Sequence, residues 1–187
     1  SVAAAHMELA NFCNRYLCAE NAKNFDLKKI PSFNEFPRIL IESLLDALKY
    51  GSTDAHLLFP RLLQIIENNP SCLQVFEEKV SKMPCWLFIG WIDQMVALLD
   101  KPEAKAVQCI IEKIALTYPN AIIYAFHLSS GSYKFSNSKS DSSNKKFVDK
   151  IKAILEKETL ITDFVTALDH LSAPSVIFKD YVNELVQ

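Results

Sequence analysis

Apolar residues recur along this chain at the three-to-four-residue spacing of an α-helix. Ile41, Leu44, Leu45 and Leu48 form one stripe; Val107, Ile110, Ile111 and Ile114 form a second; Ile161, Phe164, Val165 and Leu168 form a third. The pattern continues in Leu58, Leu62, Ile65 and Ile66, in Phe147, Ile151, Ile154 and Leu155, and in Phe178, Tyr181, Val182 and Leu185. Side chains spaced this way share one helical face and bury together. The strict alternation of a half-buried strand is nowhere sustained. The periodicity predicts about ten helices, at 8–20, 35–50, 54–68, 71–81, 84–99, 102–117, 119–129, 145–157, 160–171 and 174–186.

Turn-forming residues punctuate the stripes. Gly51 is placed to end one helix, with Ser52 or Thr53 capping the next. Asn69-Pro70 reads as an N-cap followed by a first-turn proline. Asp100-Lys101-Pro102-Glu103 has the spacing of a capping box. Pro60 falls inside a stripe that otherwise runs from Asp54 to Asn68, which predicts a kink or a late start there.

The most apolar stretch is MPCWLFIGWIDQMVALLDKP, residues 83–102. From Pro84 to Leu99 it would extend roughly 24 Å as a helix, short of the about 20 apolar residues a bilayer requires. It also carries Asp93 and Gln94, and it lacks basic flanks. A helix that is oily on all sides is enclosed by other helices. The expectation is an inner helix, with Trp86 and Trp91 in the core or its seams, and no membrane span.

Composition sharpens this picture. Only three glycines occur, too few for a hairpin-rich β fold or a phosphate-cradling loop. The net charge of −2 gives no global pull toward nucleic acid or anionic lipid. The five cysteines (Cys13, Cys18, Cys72, Cys85, Cys109) are odd in number and lack C-x-x-C spacing, so they read as reduced thiols of a cytosolic or nuclear protein. SVAAAHM is small and bland, and its His6-Met7 is typical of a cloning junction; residues 1–7 are set outside the fold, and no signal peptide is read after them. Residues 8–187 are then a single helical-repeat segment.

Pro84 to Pro119 spans 35 residues and Pro70 to Pro102 spans 32, the length of one helix hairpin. The fold class expected is all-α, an α-solenoid of stacked antiparallel helix pairs of the HEAT or tetratricopeptide kind, without the tetratricopeptide consensus. One segment interrupts the rhythm. SSGSYKFSNSKSDSSNKK, residues 129–146, holds eight serines and no helical stripe, and it reads as a surface loop. It is either an elaborated connector or a phosphorylated or partner-binding loop.

The chemistry of a site is missing from the sequence. There is no G-x-S-x-G, no H-E-x-x-H and no protein-kinase motif set. Asp163-Phe164-Val165 lies on a helical stripe, and Asp169 and His170 are helix neighbours that diverge. His6, His56, His127 and His170 show no ligand spacing with the cysteines. No residue is assigned as catalytic, cofactor-binding or metal-ligating, and no cofactor is expected. Seven lysines between Lys134 and Lys157 face only Asp141, Asp149 and Glu156. They support an alternative reading, an adaptor or nucleic-acid-binding module, although direct nucleic-acid contact is not the main expectation.

Several long strings are nonetheless distinctive: FPRLLQIIE (Phe59–Glu67), PCWLFIGWIDQMVALLDKPEAKAVQ (Pro84–Gln108), YPNAIIY (Tyr118–Tyr124), NKKFVDKIKAIL (Asn144–Leu155) and ITDFVTALDHLSAPSVIFKD (Ile161–Asp180). In these the chain resembles the late FAT-domain segment of the phosphatidylinositol-3-kinase-related kinases. The resemblance runs from about Leu9 to the end and is weakest across 19–38. It implies a non-catalytic α-helical scaffold lying against the kinase domain and neighbouring repeats of the same parent chain. It further implies that the parent is a large nuclear serine/threonine kinase of double-strand-break repair by non-homologous end joining, engaged with Ku and DNA ends. That family phosphorylates Ser-Gln and Thr-Gln sites, and neither dipeptide occurs here. If the chain is an excerpt, faces meant for neighbouring helices are exposed at both ends, and the isolated fragment self-associates.

Overall fold

A computed structural model describes residues 1–19, 33–135, 139–157 and 159–185. Among these the backbone forms eleven α-helices and no strand. They are α1 (Val2–Ala19), α2 (Phe36–Lys49), α3 (Thr53–Leu57), α4 (Phe59–Asn68), α5 (Leu73–Ser81), α6 (Ile92–Ala97), α7 (Ala104–Thr117), α8 (Pro119–Ser130), α9 (Lys139–Leu155), α10 (Thr159–Ser172) and α11 (Pro174–Leu185). The principal packings join elements near one another in the chain: α1 on α2, α2 on α3 to α5, α5 on α7, α7 on α6, α8 and α9, α8 on α10, and α10 on α11. Contact that advances with the chain is the mark of a solenoid-like stack, and the all-α expectation holds.

Two helices carry the core. In α2, Phe36, Leu40, Ile41, Leu44, Leu45 and Leu48 are buried; in α7, Val107, Ile110, Ile111 and Ile114 are buried and Ala104, Ala106 and Ala115 permit close approach. The inner helices are therefore these two, and not the 84–99 stretch.

That stretch differs from expectation in kind. Cys85–Trp91 is a tight 3₁₀ run, and α6 begins only at Ile92. In a 3₁₀ turn residues three apart eclipse. Phe88 and Trp91 therefore meet the same ring, Phe59, at 5.6 and 5.7 Å between centroids. The imidazole of His56 lies tilted against Trp91 at 5.1 Å and crowds Gly90, where a Cβ would sit 3.0 Å from it. Trp86, expected inside, is 56% exposed. Packing across this aromatic cluster decided the local geometry against the uniform oiliness of the sequence.

Other boundaries follow local chemistry. Gly51 adopts φ +85° and donates to the Leu48 carbonyl, while Ser52 donates to the Ala47 carbonyl; this closes α2 as the glycine predicted. The Ser52 hydroxyl then caps α3 by accepting from the Ala55 amide at 3.2 Å. The break foreseen near Pro60 occurs at Leu58, with Pro60 in the first turn of α4. Asn69 departs from its expected role. Its side chain donates back to the Ile65 carbonyl at 3.0 Å, closing α4 and not opening the next turn.

Of residues 1–7, residues 2–7 lie in the first turns of α1. Met7 is buried, and His6 stacks on Tyr50 at 5.8 Å. Arg61 ties the far end of α1 to α4 through the Asn14 amide oxygen at 3.0 Å and the Cys18 sulfur. The predicted end of the first helix at residue 20 falls outside the described residues.

Two outcomes check this account. Ile114→Ala, at a site with no exposure, should cost about 2–5 kcal/mol in a urea melt, because the packed site cannot collapse around the loss. Gly51→Ala should cost about 1–2 kcal/mol through left-handed backbone strain alone, since nothing crowds the added methyl.

Candidate functional site

The serine-rich stretch is shorter as a connector than its composition suggested. α8 continues to Ser130, and α9 already begins at Lys139, so 139–146 are helical. Residues 136–138 lie outside the described residues. What anchors the stretch is polar. Tyr133 donates its hydroxyl to the Val96 carbonyl at 2.9 Å, and the Lys134 amide donates to the Asp100 carboxylate at 3.2 Å. Asp100, expected to cap α7, thus holds this strap instead; Glu103 stands at the N-cap without a side-chain bond. Burial, with the charge of Asp100 nearby, pushes the Tyr133 phenol well above its usual range.

Asn144 completes this latch from inside the serine-rich segment. It is buried. Its amide nitrogen donates to the Lys101 carbonyl at 3.0 Å, and its amide oxygen accepts from Gln108 at 3.0 Å. One side chain therefore joins α9 to both the α6–α7 turn and α7. Sequence reasoning missed it. The one available signal was Asn144 standing three residues before the apolar run that opens at Phe147.

Among the described residues the titratable groups do not converge on a reactive centre. His127 on α8 meets Asp169 on α10 at 2.7 Å, both half exposed, while His170 takes no part. The His127–Asp169 link joins two helices, and no serine or cysteine side chain bonds to the ring among the described residues. No group of three or more metal-ligating side chains forms among the described residues. All five cysteines are unbridged, and burial raises the Cys13 and Cys109 thiols, which keeps them protonated. No helix among the described residues is long and apolar enough to cross a membrane. Two of the lysines of 134–157 lie beside carboxylates: Lys150 reaches Glu112 at 2.6 Å, and Lys152 lies 3.9 Å from Glu156.

The surface feature that stands out is apolar. The hairpin of α10 and α11 buries Val165 against the rest but leaves Phe164, Leu171, Phe178, Tyr181 and Leu185 open, Phe178 at 70% and Leu185 at 85% exposure. These residues belong to stripes whose period marks them for burial. At the other end, Val2, Leu9 and Phe12 of α1 are also exposed. The expected apolar faces are present at both ends of the stack. Large apolar side chains left open on helical stripes of this kind suit packing by another polypeptide.

No protein-family model matches the chain. Curated proteins do resemble it closely. The DNA-dependent protein kinase catalytic subunit of dog (Canis lupus familiaris) is 44% identical over 186 residues, that of mouse (Mus musculus) 45% over 181, and that of chicken (Gallus gallus) 45% over 188. The alignments take in 99, 96 and 98% of this chain, but only 4% of each relative.

The latch gives two measurable expectations. Asn144→Ala should destabilise by about 1–3 kcal/mol, since it strands a buried carbonyl and amide, and should raise amide exchange in α9 first. The Tyr133 phenol, raised by burial, stabilises fully below the ordinary tyrosine value of 10.0. That contribution is lost as pH climbs past it, because the unfolded chain ionises first. Stability should therefore fall above about pH 10, the unperturbed tyrosine pKa, and Tyr133→Phe should flatten that fall in melts across the alkaline range.

Proposed function

The chain is homologous, over nearly all of its own length, to one short segment of DNA-dependent protein kinase catalytic subunits, and from that premise we propose that it acts as a non-catalytic helical scaffold. In this reading it packs against the kinase domain and the adjoining helical repeats of a long parent chain. The parent is a nuclear serine/threonine kinase that responds to double-strand breaks by non-homologous end joining. Ku and DNA ends are partners of the parent, reached through it and not through this segment.

The observation that carries the reading is the open apolar face of α10 and α11. A stack whose two central helices bury their apolar faces in one continuous core moves as a body. A neighbour seated on its terminal face then feels any shift of the stack, which is how a scaffold constrains an adjoining domain. Two of the lysines of α9, Lys150 and Lys152, lie beside carboxylates, which lessens support for the nucleic-acid-binding alternative.

The test is made in the full-length kinase. Phe178→Glu with Leu185→Glu places charge on the face without touching the core of α2 and α7. The expected result is at least a tenfold loss of DNA-end-stimulated phosphorylation with unchanged expression. Stimulation equal to wild type would remove the scaffold reading.

A further inference from the structure

Of the eight serines in residues 129–146, Ser132 is placed differently from the others described. Ser129 and Ser130 close α8, and Ser140, Ser142 and Ser143 are wound into α9. Ser136 and Ser138 lie outside the described residues. Ser132 is exposed on the turn that follows α8, where its amide donates to the Ser129 carbonyl at 2.9 Å. Tyr133 to Phe135, which follow it, are neither helix nor strand. Phosphoryl transfer needs the hydroxyl in line with the γ-phosphate of ATP. A serine on an open turn can be brought there without unwinding a helix.

The charge beside Ser132 is finely balanced. Ser132 lines a hollow of about 360 Å³ together with Asp100, Lys101, Leu128 and Tyr133. The Asp100 side chain is only 8% exposed, and one of its oxygens accepts from both the Lys134 amide and the Lys101 ammonium, each at 3.2 Å. One carboxylate and one ammonium leave the hollow neutral. A phosphate brings a charge of about −1.5 to −2 at pH 7. On Ser132 it would turn the hollow net negative, next to a carboxylate too enclosed to swing into water. Lys134 does not line the hollow, and its exposed charge is screened by solvent. What can give way is the strap, pinned by the Tyr133 hydroxyl on the Val96 carbonyl and by the Lys134 amide on Asp100.

We propose that Ser132 is a phosphorylation site and that its phosphate holds the 131–135 strap off the α6–α7 turn. An ATP-dependent serine/threonine kinase supplies the phosphoryl group. A bond forms between the γ-phosphorus and Ser132 Oγ, the bond to the departing ADP oxygen breaks, and the hydroxyl proton passes to the base of that kinase. The strap lifts for the transfer, and like-charge repulsion from Asp100 then opposes its return. Asn144 stays bonded to Lys101 and Gln108, so α9 keeps its place while the strap opens. The switch does not depend on the scaffold reading.

The test uses full-length protein from cells kept in phosphatase inhibitors. Its phosphopeptides are sequenced, and amide exchange is measured before and after phosphatase treatment. Phosphate is expected on Ser132. Peptides covering 131–135 should exchange at least fivefold faster in the phosphorylated protein, with those of α9 unchanged. Ser132→Ala should erase the difference. Asp100→Asn keeps an acceptor oxygen but removes the charge, and should at least halve it. An unmodified Ser132, exchange that is equal or slower with the phosphate present, or a difference that Asp100→Asn leaves whole would overturn the proposal.

Discussion

The burial of the apolar face of α7 is the constraint on which the rest of the structure depends. Val107, Ile110, Ile111 and Ile114 have no exposure, and helices before and after α7 in the chain must close over them. α5 and α6 come from one side in sequence, and α8 and α9 from the other. A helix surrounded in this way cannot tilt or slide without opening voids in several interfaces at once. α2 does the same for the first half, and the Phe59, Phe88 and Trp91 rings link that half to α6.

Because the apolar core is continuous, polar side chains act as fasteners at its edges. Lys79 on α5 reaches Asp46 on α2 at 2.6 Å, and Lys150 on α9 reaches Glu112 on α7. Such partly exposed pairs contribute little energy individually. Asn144 is different, since it is buried and both ends of its amide are matched. A buried polar group tolerates only the arrangement that satisfies it, so it specifies where α9 sits more than how strongly it is held. The serine-rich composition around it serves a helix start and a short strap.

The α10–α11 face is oily and terminal, the kind of surface that a stack presents to whatever continues it. Among the described residues it contains none of the convergent titratable groups that chemistry requires. The one close histidine–carboxylate pair, His127 with Asp169, connects helices and meets no nucleophile among the described residues.

The sequence by itself determined the helical class, the stripes of α2, α4 and α7, the end of α2 at Gly51 and the break before Pro60. Each of these depends on spacing or backbone angles within a turn or two, which a linear string contains. Only the tertiary structure decided that Cys85–Trp91 winds as 3₁₀, that α9 starts at Lys139, and that Asp100 holds a strap and caps no helix. It also decided which Trp is exposed and that Asn144 is buried. Those outcomes rest on partners far along the chain: Lys101 is 43 residues from Asn144, and Gln108 is 36. No local pattern encodes a partner at that distance, because burial of a polar group is favourable only once the fold has brought its match alongside.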